Sequence, residues 1–367
     1  MKVPFLDLQA ATNELRSELD EAYRRFMDSG WYILGEEVEA FESEYAEYCE
    51  SEHCVGVGTG LDALTLALRA IDVGPGDEVI VPTNTYIATW LAVTQVGATI
   101  VPVEPDEQTY NINPTLIQSA LTKKTKAIMP VNLYGQPFDY DAVTSIANDA
   151  GVKVVVDNAQ GQGARYKGRR VGGIANIECH SFYPSKNLGA YGEAGAVTTR
   201  DPQIAERVRV LRNYGSKIRY HNDECGTNSR IDALQAAFLR VKLRHLDQWN
   251  ARRKELARSY GMGLLKISQL QLPVVPEWAD PVWHLFVIRL PHRNKLQERL
   301  TQRGIQTIIH YPIPPHLSKA YEALGYKRGD FPIAECLTDE VLSLPVGPHA
   351  DPAHPNVVVT AIVDCLP

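Results

Sequence analysis

The sequence predicts an α/β chain with a mostly parallel sheet, followed by a smaller C-terminal α+β domain. Three observations carry that expectation. Short apolar runs, Glu78-Val-Ile-Val81, Thr99-Ile-Val-Pro-Val103, Ala127-Ile-Met-Pro-Val131 and Val152–Val156, alternate with helical patterns. Strands covered on both faces give continuous runs of this kind, because neither face meets water. From Ser229 the pattern changes to a long stretch with few breakers, and past residue 270 proline becomes frequent.

Taken in order, Leu15, Leu19, Ala22, Tyr23 and Phe26 recur at spacings of three and four and predict a helix over 14–29. Gly30 and Gly35 bracket a turn at Trp31–Leu34, and a second helix covers 36–49. Helices over 61–71, 85–96, 114–121 and 139–150 separate the strands. In 230–262, Ile231, Leu234, Ala237, Phe238, Val241 and Leu246 form one stripe, so a single long helix leads out of the large domain. A strand over 283–290 and a helix over 293–303 then open the small domain. The expected division is 1–245 for the large domain and 246–367 for the small one.

The 367 residues are 44% hydrophobic, enough for a substantial core. The formal charge of −7 argues against a general nucleic-acid or membrane-surface binder. None of the six cysteines forms a Cys-x-x-Cys pair, which points to reduced thiols in the cytoplasm. The start, Met1-Lys-Val-Pro-Phe-Leu-Asp-Leu, lacks the apolar core of a signal peptide, and no apolar run is long enough to span a bilayer.

Three groups bear chemistry. Gly56-Val-Gly-Thr-Gly60 opens a helix whose apolar face is Leu61, Leu64, Leu68 and Ile71. A helix N-terminus with close backbone approach suits a phosphate, although alone the run reads better as a tight strand-to-helix turn. Asp157 ends a buried strand, where open α/β sheets place their ligands. It reads equally as a helix cap or as the partner of a pyridine nitrogen. Lys186 lies in His180-Ser-Phe-Tyr-Pro-Ser-Lys-Asn-Leu188, with Pro184, Gly189, Gly192 and Gly195 shaping the loop. A lysine is usually a solvated surface cation. In a desolvated loop it can form an imine with an aldehyde. Ser181 could add a hydroxyl to a phosphate, Gln160 a hydrogen bond to a ring oxygen, and Tyr86 a stacking face. Together in this order, the groups meet the needs of pyridoxal 5′-phosphate. His310 and His316 are separated by Tyr-Pro-Ile-Pro-Pro, which cannot form one helical face, so no metal site is expected there.

In Val57-Gly-Thr-Gly-Leu-Asp-Ala-Leu64, Asp157-Asn-Ala-Gln160, His180–Leu188 and Gly226-Thr-Asn-Ser-Arg-Ile-Asp-Ala-Leu-Gln-Ala236, the chain resembles the DegT/DnrJ family of sugar aminotransferases. The resemblance implies the aspartate-aminotransferase fold (fold type I) with a seven-stranded large-domain sheet. It implies that Lys186 is the Schiff-base lysine and Asp157 the pyridinium partner. It also implies that Gln160 and Tyr86 contact the ring, and that Ser181, Thr59 and Gly60 hold the phosphate. Asn228 matches an asparagine that reaches the phosphate from the neighbouring subunit, which implies a homodimer with shared sites.

The segments 212–222 and 304–316 resemble the branch that aminates C3 of a dTDP-linked 3-keto-6-deoxyhexose, with L-glutamate as donor. On that basis His310 joins the catalytic set and, with Tyr183 and Tyr311, lines the sugar pocket. Lys217, Arg219 and Tyr220 become candidates for the pyrophosphate, within a cationic stretch that also holds Arg207, Arg209 and Arg212. Gln162, Asn158 and Gly161 depart from the family pattern. No arginine stands out for the donor's carboxylate. A sugar dehydratase on the same fold would replace the lysine with histidine, and a non-catalytic sensor would not need all three groups.

Overall fold

The computed structural model describes residues 2–366. Its main sheet has seven strands: β1 (His53–Val57), β2 (Glu78–Pro82), β3 (Thr99–Val103), β4 (Thr125–Ile128), β5 (Lys153–Asp157), β6 (Ile177–Ser181) and β7 (Gly195–Thr199). They lie in the order β1-β7-β6-β5-β4-β2-β3. The pairs from β6 through β3 are parallel, and β7 runs antiparallel to both its neighbours. Helices cover both faces. Leu64, Leu68, Trp90 and Val208 pack with Val79, Val81 and Val155 on one side. Phe138, Val143 and Ala147 pack with Ile80, Val154 and Val156 on the other. Alternate residues of one strand thus enter opposite clusters, as the pleat requires.

This topology gathers the chemistry-bearing residues at one edge. Asp157 and Ser181 end parallel strands, Thr59 follows β1, and Gly195 begins the reversed β7. Ser181 pairs with Gly195, and Gly195 with Val57. Loops at the carboxyl ends of the strands therefore converge, which is where such sheets bind ligands.

Several elements differ from the sequence expectation. The 127–131 strand is β4 at 125–128, because Pro130 has no N–H to continue the ladder. An isolated bridge from Val131 to Asp157 prolongs its direction. The helix expected over 14–29 is present as Arg16–Ser29, and an unexpected helix, Leu8–Glu14 capped by Asp7, precedes it. The long helix over 230–262 also divides, into Ala233–Leu243 and Leu246–Leu264. At the break, Glu18 takes both His245 Nε2 (3.0 Å) and Arg244 (3.6 Å).

The division has a packing purpose. Ala233, Ala236 and Leu239 face Val38, Phe41 and Tyr45, whereas Leu256, Tyr260 and Leu264 face Val358, Ala361 and Ile362. We propose that the two domains meet at this break. The second unit centres on an antiparallel pair, Phe286–Arg289 with Val341–Leu344. The N-terminal Val3 bridges to Ile305 and lies in that cluster.

Candidate active site

The glycine-rich turn is built for close approach. A Cβ on Gly60 would lie 2.5 Å from Ser181 Cβ, and one on Gly195 would lie 2.3 Å from the Thr59 carbonyl oxygen. Either side chain would drive these segments apart. Thr59 caps the helix Gly60–Ala70, its Oγ1 accepting from Asp62 N at 3.0 Å. The Gly60 and Leu61 N–H groups have no partner among the described residues. They form a donor pair at the positive end of an eleven-residue helix, beside the Ser181 hydroxyl. Ser229 fixes the turn from below, accepting from Gly58 N at 3.0 Å and donating to Asp62 Oδ2 at 2.8 Å.

Asp157 is 5% exposed. Its Oδ2 accepts from the Thr89 hydroxyl at 2.8 Å and its Oδ1 from Ala159 N at 3.1 Å. Thr89 in turn meets Thr85 Oγ1 at 2.8 Å. Burial raises the Asp157 pKa, opposed by these bonds and by the Lys186 charge. Burial also pulls Lys186 down to about 8, against the attraction of Asp157. The two groups therefore sense each other across a poorly solvated space. The Lys186 turn is held by its own N–H to the Tyr183 carbonyl (2.8 Å) and by Asn187, which donates to Asn250 Oδ1 at 2.8 Å. Lys242 supports the far end of the loop, donating to Gly189 O at 2.6 Å.

A second layer joins this centre to His310, Tyr311 and Ser343. Gln160 Oε1 accepts from Tyr134 N at 2.6 Å, and its Nε2 donates to the Tyr311 hydroxyl at 2.9 Å. Tyr311 packs against Tyr86 with ring centroids 5.2 Å apart. His310 Nδ1 meets Ser343 Oγ at 2.8 Å, and its backbone carbonyl accepts from the Tyr134 hydroxyl. Burial and the nearby Lys186 charge lower His310 to about 4, so it is neutral at pH 7. Tyr86 and Tyr183 are each about half exposed at this edge.

Thr59, Gly60, Ser181, Asp157 and Lys186 thus gather at one edge, with Gln160, Tyr311, His310 and Tyr86 close by. Lys217, Arg219 and Tyr220 do not join them within one chain. They line an outer groove with Trp31, Ile33 and Tyr214. Lys217 pairs there with Glu206 at 3.0 Å, and Arg219 lies over the Tyr220 ring at 4.9 Å. The rest of the cationic stretch is also matched by carboxylates, with Arg207 on Asp72, Arg209 on Glu206 and the buried Arg212 on Glu42. Asn228 is exposed beside the buried Ser229. His316 lies away from His310 and bonds Glu335 at 3.1 Å.

The unusual residues after Asp157 form a coupled set. Asn158 Oδ1 accepts from Asn132 at 2.9 Å, and a Cβ on Gly161 would lie 2.1 Å from that oxygen. Asparagine at 158 therefore requires glycine at 161. Gln162 donates to the Ser181 carbonyl at 2.6 Å, holding the strand end beneath the cradle. Sequence reasoning overlooked Thr89 and Thr85. Their spacing of four was the available signal, although Thr85 precedes the helix Ile87–Gln95 that carries Thr89.

Residues 13–363 match the model of the DegT/DnrJ/EryC1/StrS aminotransferase family. The chain belongs to that family. It is 58% identical over 349 residues to the "Erythromycin biosynthesis sensory transduction protein EryC1" of Saccharopolyspora erythraea, covering 95% of each chain. It is 52% identical to a "dTDP-3-amino-3,4,6-trideoxy-alpha-D-glucose transaminase" of Streptomyces venezuelae, covering 98% of this chain and 95% of the relative. Among solved structures it resembles S. venezuelae DesV, determined in complex with a ketimine intermediate. There the TM-score is 0.98 at 52% identity, covering 99% of this chain and 98% of the other. The seven-stranded, mostly parallel sheet is the fold type I architecture of this aminotransferase family.

Proposed function

We propose that this aminotransferase transfers an amino group, with L-glutamate as donor, to C3 of a dTDP-linked 3-keto-6-deoxyhexose, giving a dTDP-3-amino-3,6-dideoxyhexose. Pyridoxal 5′-phosphate is its cofactor. When bound, it supplies an aldehyde carbon that takes up nitrogen and a ring that withdraws electrons from the adjacent carbon. The observation that carries the reading is the lowered, desolvated Lys186 amine beside the buried Asp157, at the edge that also presents Gly60, Leu61 and Ser181.

Each residue then has a defined task. Lys186 Nζ would hold the cofactor's aldehyde end, and its free amine would accept and return a proton at the substrate carbon. Asp157 keeps the ring nitrogen protonated, and Thr89 holds its carboxylate in place. The Gly60 and Leu61 N–H groups, Thr59 and Ser181 hold the phosphate. Gln160, Tyr86 and Tyr311 border the ring and sugar, with His310 and Tyr183 on the acceptor side.

Asn228, Lys217, Arg219 and Tyr220 act across a homodimer, Asn228 toward the cofactor phosphate of the partner's site and the other three toward the nucleotide's pyrophosphate. Exposed apolar side chains near them support that reading, with Trp31 65%, Ile33 54% and Ile218 66% exposed. We place the enzyme in the cytoplasm, a reading supported by six unpaired cysteines. No helix among the described residues is long and apolar enough to cross a membrane.

Lys186 argues against a dehydratase, and a sensor has no use for a desolvated lysine paired with a buried acid. The test is glutamate-dependent amination of both C4 epimers of the 3-keto sugar nucleotide, alongside borohydride reduction and peptide mass mapping. The expected results are an amino-sugar product and cofactor fixed at Lys186. Dehydration without amination, or reductive labelling that persists in Lys186→Ala, overturns the reading.

A further inference from the structure

Beside the Lys186 loop lies a cavity of about 310 Å³ between the domains' facing residues, with Ser185, His284, Gln306, Ile308 and His310 in its wall. Its lining carries no aspartate or glutamate. Arg253 also lines it and is 4% exposed. Its Nη1 donates to three backbone carbonyls, those of Val346 (3.1 Å), Trp283 and His284 (3.4 Å each). Its Nη2 has no hydrogen-bond partner among the described residues, and its buried Nε is also unmatched. No carboxylate pairs with it among those residues. Burial without a counter-charge lowers its pKa, and burial also depresses His284, with the Lys186 and Arg253 charges adding to the effect.

A buried guanidinium left without an anion is costly, and the uncompensated part of that cost is removed when an anion enters. Nε is closed off from the cavity, whereas Nη2 is unpartnered and keeps accessible surface, so it can give an anion a charge-assisted hydrogen bond. The rest of the wall is apolar, with Phe5, Leu6, Leu285 and Val346, and suits a short carbon chain better than a hydrated pyrophosphate.

We propose that Arg253 anchors a carboxylate of the amino-acid donor in this cavity. The inference rests on the aminotransferase reading and names the donor's binding group. The Nη1 bonds fix the guanidinium, leaving Nη2 preorganised beside the loop that carries Lys186.

The test uses the full-length protein and glutarate, a dicarboxylate without an amine that can bind but not react. Calorimetry should detect glutarate binding to the wild type. Arg253→Lys should weaken it about tenfold or more, since the charged hydrogen bond from Nη2 is lost. Arg253 also ties three carbonyls, so that variant could unfold. Ile308→Glu tests the same cavity without altering Arg253: it places an acid there and should likewise weaken glutarate binding about tenfold or more.

A wild type that binds no glutarate, or affinity unchanged in Ile308→Glu, overturns the proposal. Loss of dTDP affinity with glutarate binding intact in that variant would assign the anion to phosphate and also overturn it. Donor KM in turnover separates this proposal from the parent reading. Amination with an unchanged KM for glutamate in Ile308→Glu sinks the anchor alone. Glutarate binding without any amination sinks the proposed reaction and leaves the carboxylate site standing.

Discussion

The Thr89 hydroxyl donates to Asp157 Oδ2 at 2.8 Å, inside a pocket where both side chains are nearly or wholly buried. The bond stabilises the carboxylate that burial would otherwise protonate. Thr89→Val keeps the shape and removes the donor. The Asp157 pKa then rises further, and its hold on a protonated ring nitrogen weakens. A hydrogen bond to a charged group contributes roughly 1.5–3 kcal/mol, so cofactor affinity should fall between about tenfold and a hundredfold. Absorbance titration with pyridoxal phosphate measures it, and an unchanged dissociation constant would detach Thr89 from the role.

The ionisation of Lys186 sets a pH signature. Its folded value of about 8 lies below the usual 10.5. The neutral, nucleophilic fraction in the cofactor-free protein therefore rises about tenfold between pH 7 and 9 and levels off above that. Covalent uptake of pyridoxal phosphate, followed by stopped-flow absorbance, should show this profile. A rate still climbing steeply past pH 10 would mean a solvated amine. The stability consequence has a definite sign. Between pH 8 and 10.5 the unfolded chain binds more protons at this residue, so its destabilising contribution is full below 8 and is relieved as pH rises through that window.

β2 and β5, inside the sheet, were legible because they are continuous apolar runs, as strands covered on both faces must be, and the edge strand β3 showed a similar run. The edge strand β1 (His-Cys-Val-Gly-Val) and the reversed β7 (Gly-Ala-Val-Thr-Thr) carry glycine and polar residues and were not read as strands. The break at Arg244–His245 has no proline or glycine to announce it. It arises from tertiary contacts with Glu18, which a local pattern does not encode. Lys186 and Asp157 stood out in the sequence because the chemistry demands those residue types. Thr89 and Arg253 did not, because a threonine on a helix and an arginine in a long amphipathic segment become distinctive only when their burial is known.

Gly60 tests the cradle itself. Alanine there improves helix propensity, yet its methyl would lie 2.5 Å from Ser181 Cβ and 3.0 Å from Ser181 Cα. Overpacking of this kind costs about 1–3 kcal/mol. Gly60→Ala should therefore lower the melting temperature and weaken cofactor binding, while Gly60→Ala combined with Ser181→Gly should recover stability. Equal melting temperatures for the single and double variants would show that the contact is not the cause.

The shared-site reading is decided by mixing two inactive variants. If Asn228 reaches the phosphate of the opposite subunit, a chain with Lys186→Ala still offers a sound Asn228, and a chain with Asn228→Asp still offers a sound Lys186. In a mixed dimer one site then receives both defects and the other receives none. Random reassortment of equal amounts makes about half the dimers mixed, each with one working site of two, so activity should return to about a quarter of wild type. The Asp substitution strengthens the contrast, since it sets a negative charge against a phosphate. The exposed position of Asn228 beside Ser229, which is already committed to Gly58 and Asp62, leaves this residue available to a partner. If each chain supplied its own Asn228, every site in the mixture would carry at least one defect. Activity would then stay at background however long the variants were incubated, provided that subunit exchange is verified by native mass spectrometry.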